Sequence, residues 1–184
     1  MEIKTIGIIG AGTSGPAIAY LTALHGYKTV LQSVSQELLQ DGIAYIKQKL
    51  GDGIAAGTIT PQQQQRSLTN LATLRSVEDV CRYADLLIDA TQEELEVKLE
   101  IFTLFDKFAK PDAILASSSL TIPIADLAEI TFRTENCVGL RFGGSVPQAK
   151  SLDVIRAADT SDATVKACEE LGRHLGLDVT VIRE

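Results

Sequence analysis

Short runs of β-branched and aliphatic residues alternate along this chain with longer stretches whose apolar positions recur at helical spacing. The runs Lys4–Gly10, Thr29–Ser33, Leu71–Arg75, Asp85–Asp89, Ala113–Ser117 and Cys137–Phe142, with Leu152–Ile155 and Val179–Arg183 later, are predicted strands. Between them Ser14–His25, Glu93–Lys107 and Ser161–Leu175 are predicted helices. Such alternation argues for βα units and a doubly wound, mostly parallel sheet with helices on both faces. The segment from Ser35 to Leu68 has no strand pattern. It reads as two helices, broken at Gly51-Asp52-Gly53 and restarted at Thr60-Pro61, where Thr60 caps and Pro61 takes the first helical position. This pair is expected to project as a helical arm, with Gln62 to Gln65 on a solvated face.

At 184 residues the chain can bury a core without disulfides or metals, and one domain over residues 1–184 is expected. No apolar stretch approaches the roughly 18 residues of a membrane span, and the opening strand is too short and too soon interrupted by glycine for a signal peptide. A cytoplasmic protein without a membrane partner is therefore expected. The net charge of −7 and the lack of any Lys/Arg run weigh against nucleic acid as a partner. Cys81, Cys137 and Cys168 are widely spaced, with no CxxC pair or His cluster, and read as buried free thiols rather than metal ligands. His25, just before Gly26, reads as a helix C-terminal residue, and His174 in the last helix likewise as structural.

Gly10-Ala11-Gly12-Thr13-Ser14-Gly15 is a GxGxxG that follows a strand and opens a helix, the context in which that spacing cradles a pyrophosphate. Gly10 permits the tight turn, Gly12 the close approach of backbone to phosphate, and Gly15 the packing of helix on strand. The second strand ends at Ser33, where an acidic residue usually holds the adenosine ribose. Ser33 offers a hydroxyl but no charge. No Arg or Lys follows in Val34-Ser35-Gln36-Glu37 to hold a 2′-phosphate, so NADP is the less favoured cofactor and NAD binding is expected to be weakened.

The order of motifs resembles the Rossmann-type NAD-binding domain of the 3-hydroxyacyl-CoA dehydrogenases over essentially the whole chain. Beyond the glycine loop, Gly57-Thr58-Ile59-Thr60 is similar to that family's GKLT, and Ala84 to Ala90 to its ADLVIEA. Glu93 to Lys98 is similar to ENLEVK, Ile114 to Ser117 to the start of ILASNTS, Val138 to Phe142 to VGLHFFNP, and Thr160 to Thr164 to TSDET. The resemblance implies a place in fatty acid metabolism and oxidation of a 3-hydroxyacyl-CoA by NAD, with a His as base and a Glu orienting it. The His position is Arg141 and the Glu position Asp153, which are expected to form an ion pair. The Asn and final Ser of SNTS, which touch nicotinamide and substrate, correspond to Ser118 and Leu120. Gly144 stands for the Asn of HFFNP, and Ala56 and Thr58 for lysines near the CoA. Glu93 and Lys98 match the family's cofactor contacts, the alternative being a solvated charge pair on a surface helix.

The resemblance also implies a following helical domain, opened by PGFxxNR, which closes the cleft and supplies a dimer interface. No such motif occurs in the 184 residues. The expected function is thus a nucleotide-binding module impaired in hydride transfer, with a binding, regulatory or structural role. Two alternatives stand beside it. One is an active oxidoreductase completed by a separate helical domain or subunit, with Glu93 or Asp153 as proton acceptor. The other is an interaction protein that meets a protein partner, or itself, through the face the helical domain would cover.

Overall fold

A computed structural model describes residues 2–144, 146 and 148–184. Strands β1 (Thr5–Ile9), β2 (Lys28–Gln32), β3 (Leu71–Leu74), β4 (Leu86–Asp89), β5 (Ile114–Ser117), β6 (Cys137–Gly143), β7 (Ser151–Arg156) and β8 (Asp178–Arg183) form one sheet. Their order is β3-β2-β1-β4-β5-β6-β7-β8. Every pairing is parallel except β6 with β7. Helical crossovers return the chain in the same direction, whereas no helix lies between β6 and β7 among the described residues, and these two strands run antiparallel.

Helices α1 (Ser14–Leu24), α2 (Gln36–Ala55) and α7 (Asp162–His174) contribute Ile18, Leu39, Ile46, Leu50, Cys168 and Leu171 to a core on one face of the sheet, and α3 (Pro61–Asn70) packs its partly buried Leu68 against it. Helices α4 (Val77–Tyr83), α5 (Leu95–Phe108) and α6 (Ile124–Ala128) cover the other with Val80, Phe102, Phe105 and Leu127. Central strands are therefore covered on both faces, and β4 is buried at every position, which is why it reads as an unbroken apolar run until Asp89. The short helices α4 and α6 go unpredicted because seven and five residues carry too little periodicity. None of the helices described is long and apolar enough to cross a membrane.

The α2–α3 pair is the expected arm, seated on α1 through Leu39, Ile46 and Leu50. Its restart is as predicted: Thr60 and Gln63 form a reciprocal capping box, with Pro61 opening α3. The break is not at Gly51-Asp52-Gly53, because α2 continues through all three to Ala55. Gly53 serves packing instead, since a Cβ there would lie 2.4 Å from Ile59 Cδ1. The chain leaves the helix near Gly57, whose φ of +71° is the left-handed conformation that ends helices.

Candidate functional site

Strand order reverses between β1 and β4, and in such sheets the crevice at the carboxyl ends of these strands receives the ligand. The glycine loop lies there. Gly10 has φ +107°, and a Cβ on it would come within 2.7 Å of the Ala90 carbonyl oxygen in the loop after β4. On Gly15 a Cβ would stand 1.8 Å from the Gly10 carbonyl oxygen, so this glycine lets α1 close onto β1. Gly12 differs, with nothing within 4 Å of its absent Cβ. The space above it is open to an approaching group. No side chain caps the start of α1 at Thr13, and no acid occupies its first turn, leaving backbone N–H groups and the positive helix end to an anion. A cavity of about 180 Å³ adjoins the loop, bounded by Thr13, Ser14, Ser118, Leu120, Phe142 and Gly144. Glycines without a Cβ above an uncapped helix start fit a dinucleotide pyrophosphate.

Ser33 continues β2 at its carboxyl end, its N–H bonded to the Leu74 carbonyl at 3.4 Å. Its hydroxyl accepts from Ser35 N–H at 3.2 Å. The neighbouring strand brings in a residue that sequence spacing does not associate with this position. Arg75 donates Nε and Nη2 to the Val34 carbonyl at 3.2 and 2.8 Å, across a separation of 41 residues. A second tie is Gln32 Nε2 to the Arg75 carbonyl at 3.0 Å.

On the other side of the crevice, the side chains of Asp89 and Lys98 are 0% and 1% exposed and form an ion pair of 2.8 Å. Asp89 also accepts from Thr91 N–H at 3.0 Å, Thr91 Oγ1 at 2.5 Å and Ser117 Oγ at 3.3 Å, while Lys98 Nζ reaches the Thr91 carbonyl at 3.3 Å. Lys98 is therefore not half of a solvated pair with Glu93. It fastens α5 to the end of β4. The recognisable signal was Asp89 itself, an acid closing a wholly apolar strand, with a lysine nine residues on. Ser118 joins this network, its hydroxyl donating to the Asp89 carbonyl at 3.0 Å.

Glu93 precedes α5 and organises the loop after β5. Its Oε1 accepts from the Ser119 hydroxyl, from the N–H groups of Leu120 and Thr121, each at 3.0 Å, and from Thr121 Oγ1 at 2.9 Å. Partial burial works to raise the Glu93 pKa, but the Ser119 and Thr121 hydrogen bonds, with the charge of Lys98, outweigh it and hold the carboxyl down at about 2. The anchored loop presents Leu120 to solvent with 64% of its surface exposed.

Arg141 and Asp153 face each other in the antiparallel β6–β7 register, as expected for two positions twelve apart around a return. The predicted ion pair is nonetheless not formed among the described residues. Directly opposed Cβ atoms lie about 5 Å apart, and the long arginine stem carries its guanidinium past the short aspartate. Arg141 Nη2 donates instead to the Leu120 carbonyl at 3.2 Å, while Nε is buried without a hydrogen-bond partner among the described residues. Ser145, which ends the counterpart of HFFNP, lies outside the described residues.

The histidines lie away from this crevice. His25 follows α1 and its Nδ1 is 2.8 Å from the Leu21 carbonyl oxygen, and His174 ends α7 with Nδ1 2.8 Å from the Tyr27 hydroxyl. A larger cavity of about 760 Å³ near His174 is bordered by Lys4, Thr5, Tyr27 and Lys28, at the amino ends of β1 and β2. It is remote from the glycine loop, and the topology of open α/β sheets favours the smaller one.

Residues 5–184 match the sequence profile of the 3-hydroxyacyl-CoA dehydrogenase NAD binding domain. A 3-hydroxybutyryl-CoA dehydrogenase of Bradyrhizobium diazoefficiens is 35% identical over 179 residues, which span 97% of this chain and 61% of that protein. The human mitochondrial hydroxyacyl-coenzyme A dehydrogenase is 30% identical over 182 residues, spanning 95% of this chain and 57% of that protein. Among solved structures, the (S)-3-hydroxybutyryl-CoA dehydrogenase of Ralstonia eutropha superposes with a TM-score of 0.95 at 30% identity, covering 100% of this chain and 64% of that one. The chain thus spans about three fifths of such relatives. Its motif order, its sheet and its profile match agree: this chain belongs to the family of 3-hydroxyacyl-CoA dehydrogenase NAD-binding domains.

Proposed function

We propose that this chain is a cytoplasmic dinucleotide-binding module that is impaired or inactive in hydride transfer and has a binding, regulatory or structural role. The observation that carries this reading is Arg141, a guanidinium committed to the Leu120 carbonyl at the position where the family resemblance calls for a proton acceptor. A guanidinium stays protonated at working pH and cannot take the proton of a hydroxyl group. The alternative acceptor Glu93 is no better suited, because a carboxyl held at about pH 2 and engaged by four donors is a weak base. Leu120 fronts the cavity with a side chain that can neither donate nor accept a hydrogen bond. A bound nicotinamide would supply a hydride acceptor. The glycine loop would hold its pyrophosphate, and Ser33, without a carboxylate, would hold the ribose less tightly than an acid does.

A second reading places self-association or a protein partner at the face beside this cavity, where Leu120 is exposed. Calorimetric titration with NADH, NADPH and acetoacetyl-CoA tests the nucleotide claim, and Gly12→Val is the informative variant. Nothing stands within 4 Å of the added Cβ, so the fold should persist while the phosphate approach is filled. Binding that survives Gly12→Val unchanged, or no binding by the parent chain, would refute a nucleotide site at the glycine loop. Sizing chromatography over a concentration range tests the partner surface, a strict monomer counting against self-association.

A further inference from the structure

We infer that the adenosine end of this site is built for a 2′-phosphorylated dinucleotide, with Arg75 and Ser33 as the residues that select it. The inference rests on the nucleotide-binding reading above and specifies its ligand. At the tip of the second strand of such folds, a carboxylate accepts hydrogen bonds from an unmodified ribose, whereas a nearby arginine accommodates a 2′-phosphate. Here the carboxylate is missing, since the strand tip is Ser33. The cation is present, but it arrives from the adjacent strand rather than from the residues that follow Ser33.

The geometry is set by the sheet. β3 lies outside β2, on the side away from the glycine loop, and Gln32 pairs with Leu74 in the parallel register. The next residues are Ser33 on one strand and Arg75 on the other, held together by Ser33 N–H to Leu74 O, Gln32 Nε2 to Arg75 O, and Arg75 to Val34 O. A guanidinium has five N–H donors. Two of Arg75's serve the Val34 carbonyl, which fixes the plane of the group and leaves the others, including both on Nη1, for a ligand. Among the described residues no carboxylate forms an ion pair with Arg75. Glu78, close by in α4, is occupied by Arg82. Ser33 itself is buried, its hydroxyl oxygen accepting from Ser35 N–H, so its part in selection is to leave the strand tip without a carboxylate. The strand tip therefore carries an arginine with no ion-pair partner among the described residues and no carboxylate at position 33.

A charge-assisted hydrogen bond from arginine to phosphate contributes about 1.5–3 kcal/mol, or roughly tenfold to a hundredfold in affinity. Calorimetric titration of the full chain with NADPH and NADH, and with adenosine 2′,5′-bisphosphate against 5′-AMP, reads this directly without any turnover. The phosphorylated member of each pair should bind at least about tenfold tighter. Arg75→Gln should remove most of that preference, and Ser33→Asp should reverse it. Equal or tighter binding of NADH would overturn the inference while leaving the nucleotide-binding reading intact. A loss of both nucleotides in equal measure in Arg75→Gln would assign Arg75 to holding the Val34 turn and would overturn its role in selection. No binding by any of the four would defeat the nucleotide-binding reading, and this inference with it.

Discussion

Replacing Lys98 by methionine should be the most damaging single change to the crevice. Methionine keeps an unbranched apolar stem of similar length and removes only the ammonium. Asp89 would then remain at 0% side-chain exposure, with Thr91 N–H, Thr91 Oγ1 and Ser117 Oγ as its remaining donors. Removing one partner of a buried pair costs about 3–5 kcal/mol, because the remaining charge can neither reach water nor find a counter-charge. The three surviving hydrogen bonds place the expectation toward the lower end. Against a typical total of about 5–15 kcal/mol this is a large fraction of the stability. For a domain of this size it corresponds to a fall in Tm of roughly 6–20 °C. Urea titration followed by circular dichroism measures it, and the transition should move to lower denaturant with an unchanged slope. Adding Asp89→Asn should recover much of the loss, since the uncompensated charge is then gone. A cost below about 1 kcal/mol for Lys98→Met would refute the reasoning, because only a solvent-screened pair is worth so little.

Other expectations follow from the same geometry. The Glu93 carboxyl is depressed from an ordinary 4.5 to about 2, so its contribution to stability is complete above about pH 4.5 and is lost as pH falls through 2. Its exposure keeps that contribution modest. Acid titrations of stability should lose slope in that window in Glu93→Gln, and an identical profile would remove Glu93 as the anchor of the 119–121 loop. Burial pushes the Cys81 and Cys168 thiols up to about 12 and Cys137 to about 11. An aromatic disulfide reagent at neutral pH should therefore label none of the three until urea unfolds the chain, and prompt labelling of the native protein would contradict their burial. Gly15→Ala should destabilise by about 1–3 kcal/mol or more as overpacking, because its Cβ would sit 1.8 Å from the Gly10 carbonyl oxygen. Gly12→Ala should leave the urea midpoint in place, and a matching loss in both variants would mean that the loop glycines share one purely structural role.

The sheet was legible because its signal is local. β1 to β8 are apolar runs bounded by polar turns, and each predicted run overlaps its strand. The glycine loop was legible for a related reason, since its strand, turn and helix are consecutive in sequence. Side-chain partners were less accessible. Arg75 and Val34 meet across two strands with no spacing to signal it, whereas Asp89 and Lys98 meet across a strand and a helix and had as their only signal an acid closing an apolar strand. Arg141 and Asp153 were correctly expected to be near each other, but their distance in register did not determine where a long guanidinium would point. At Gly51-Asp52-Gly53, composition suggested a turn. The decisive fact was the approach of Ile59 to Gly53, which makes a small residue useful inside a continuing helix.

This crevice is proposed to hold a nicotinamide dinucleotide without supporting hydride transfer. The most direct test is a single-turnover reaction with the protein in excess of reduced cofactor, NADPH and NADH in turn, mixed with acetoacetyl-CoA. Cofactor fluorescence should change on binding, while the absorbance of the reduced nicotinamide stays constant after acetoacetyl-CoA is added. Stoichiometric decay of that absorbance would contradict the account and return the chain to the active oxidoreductases.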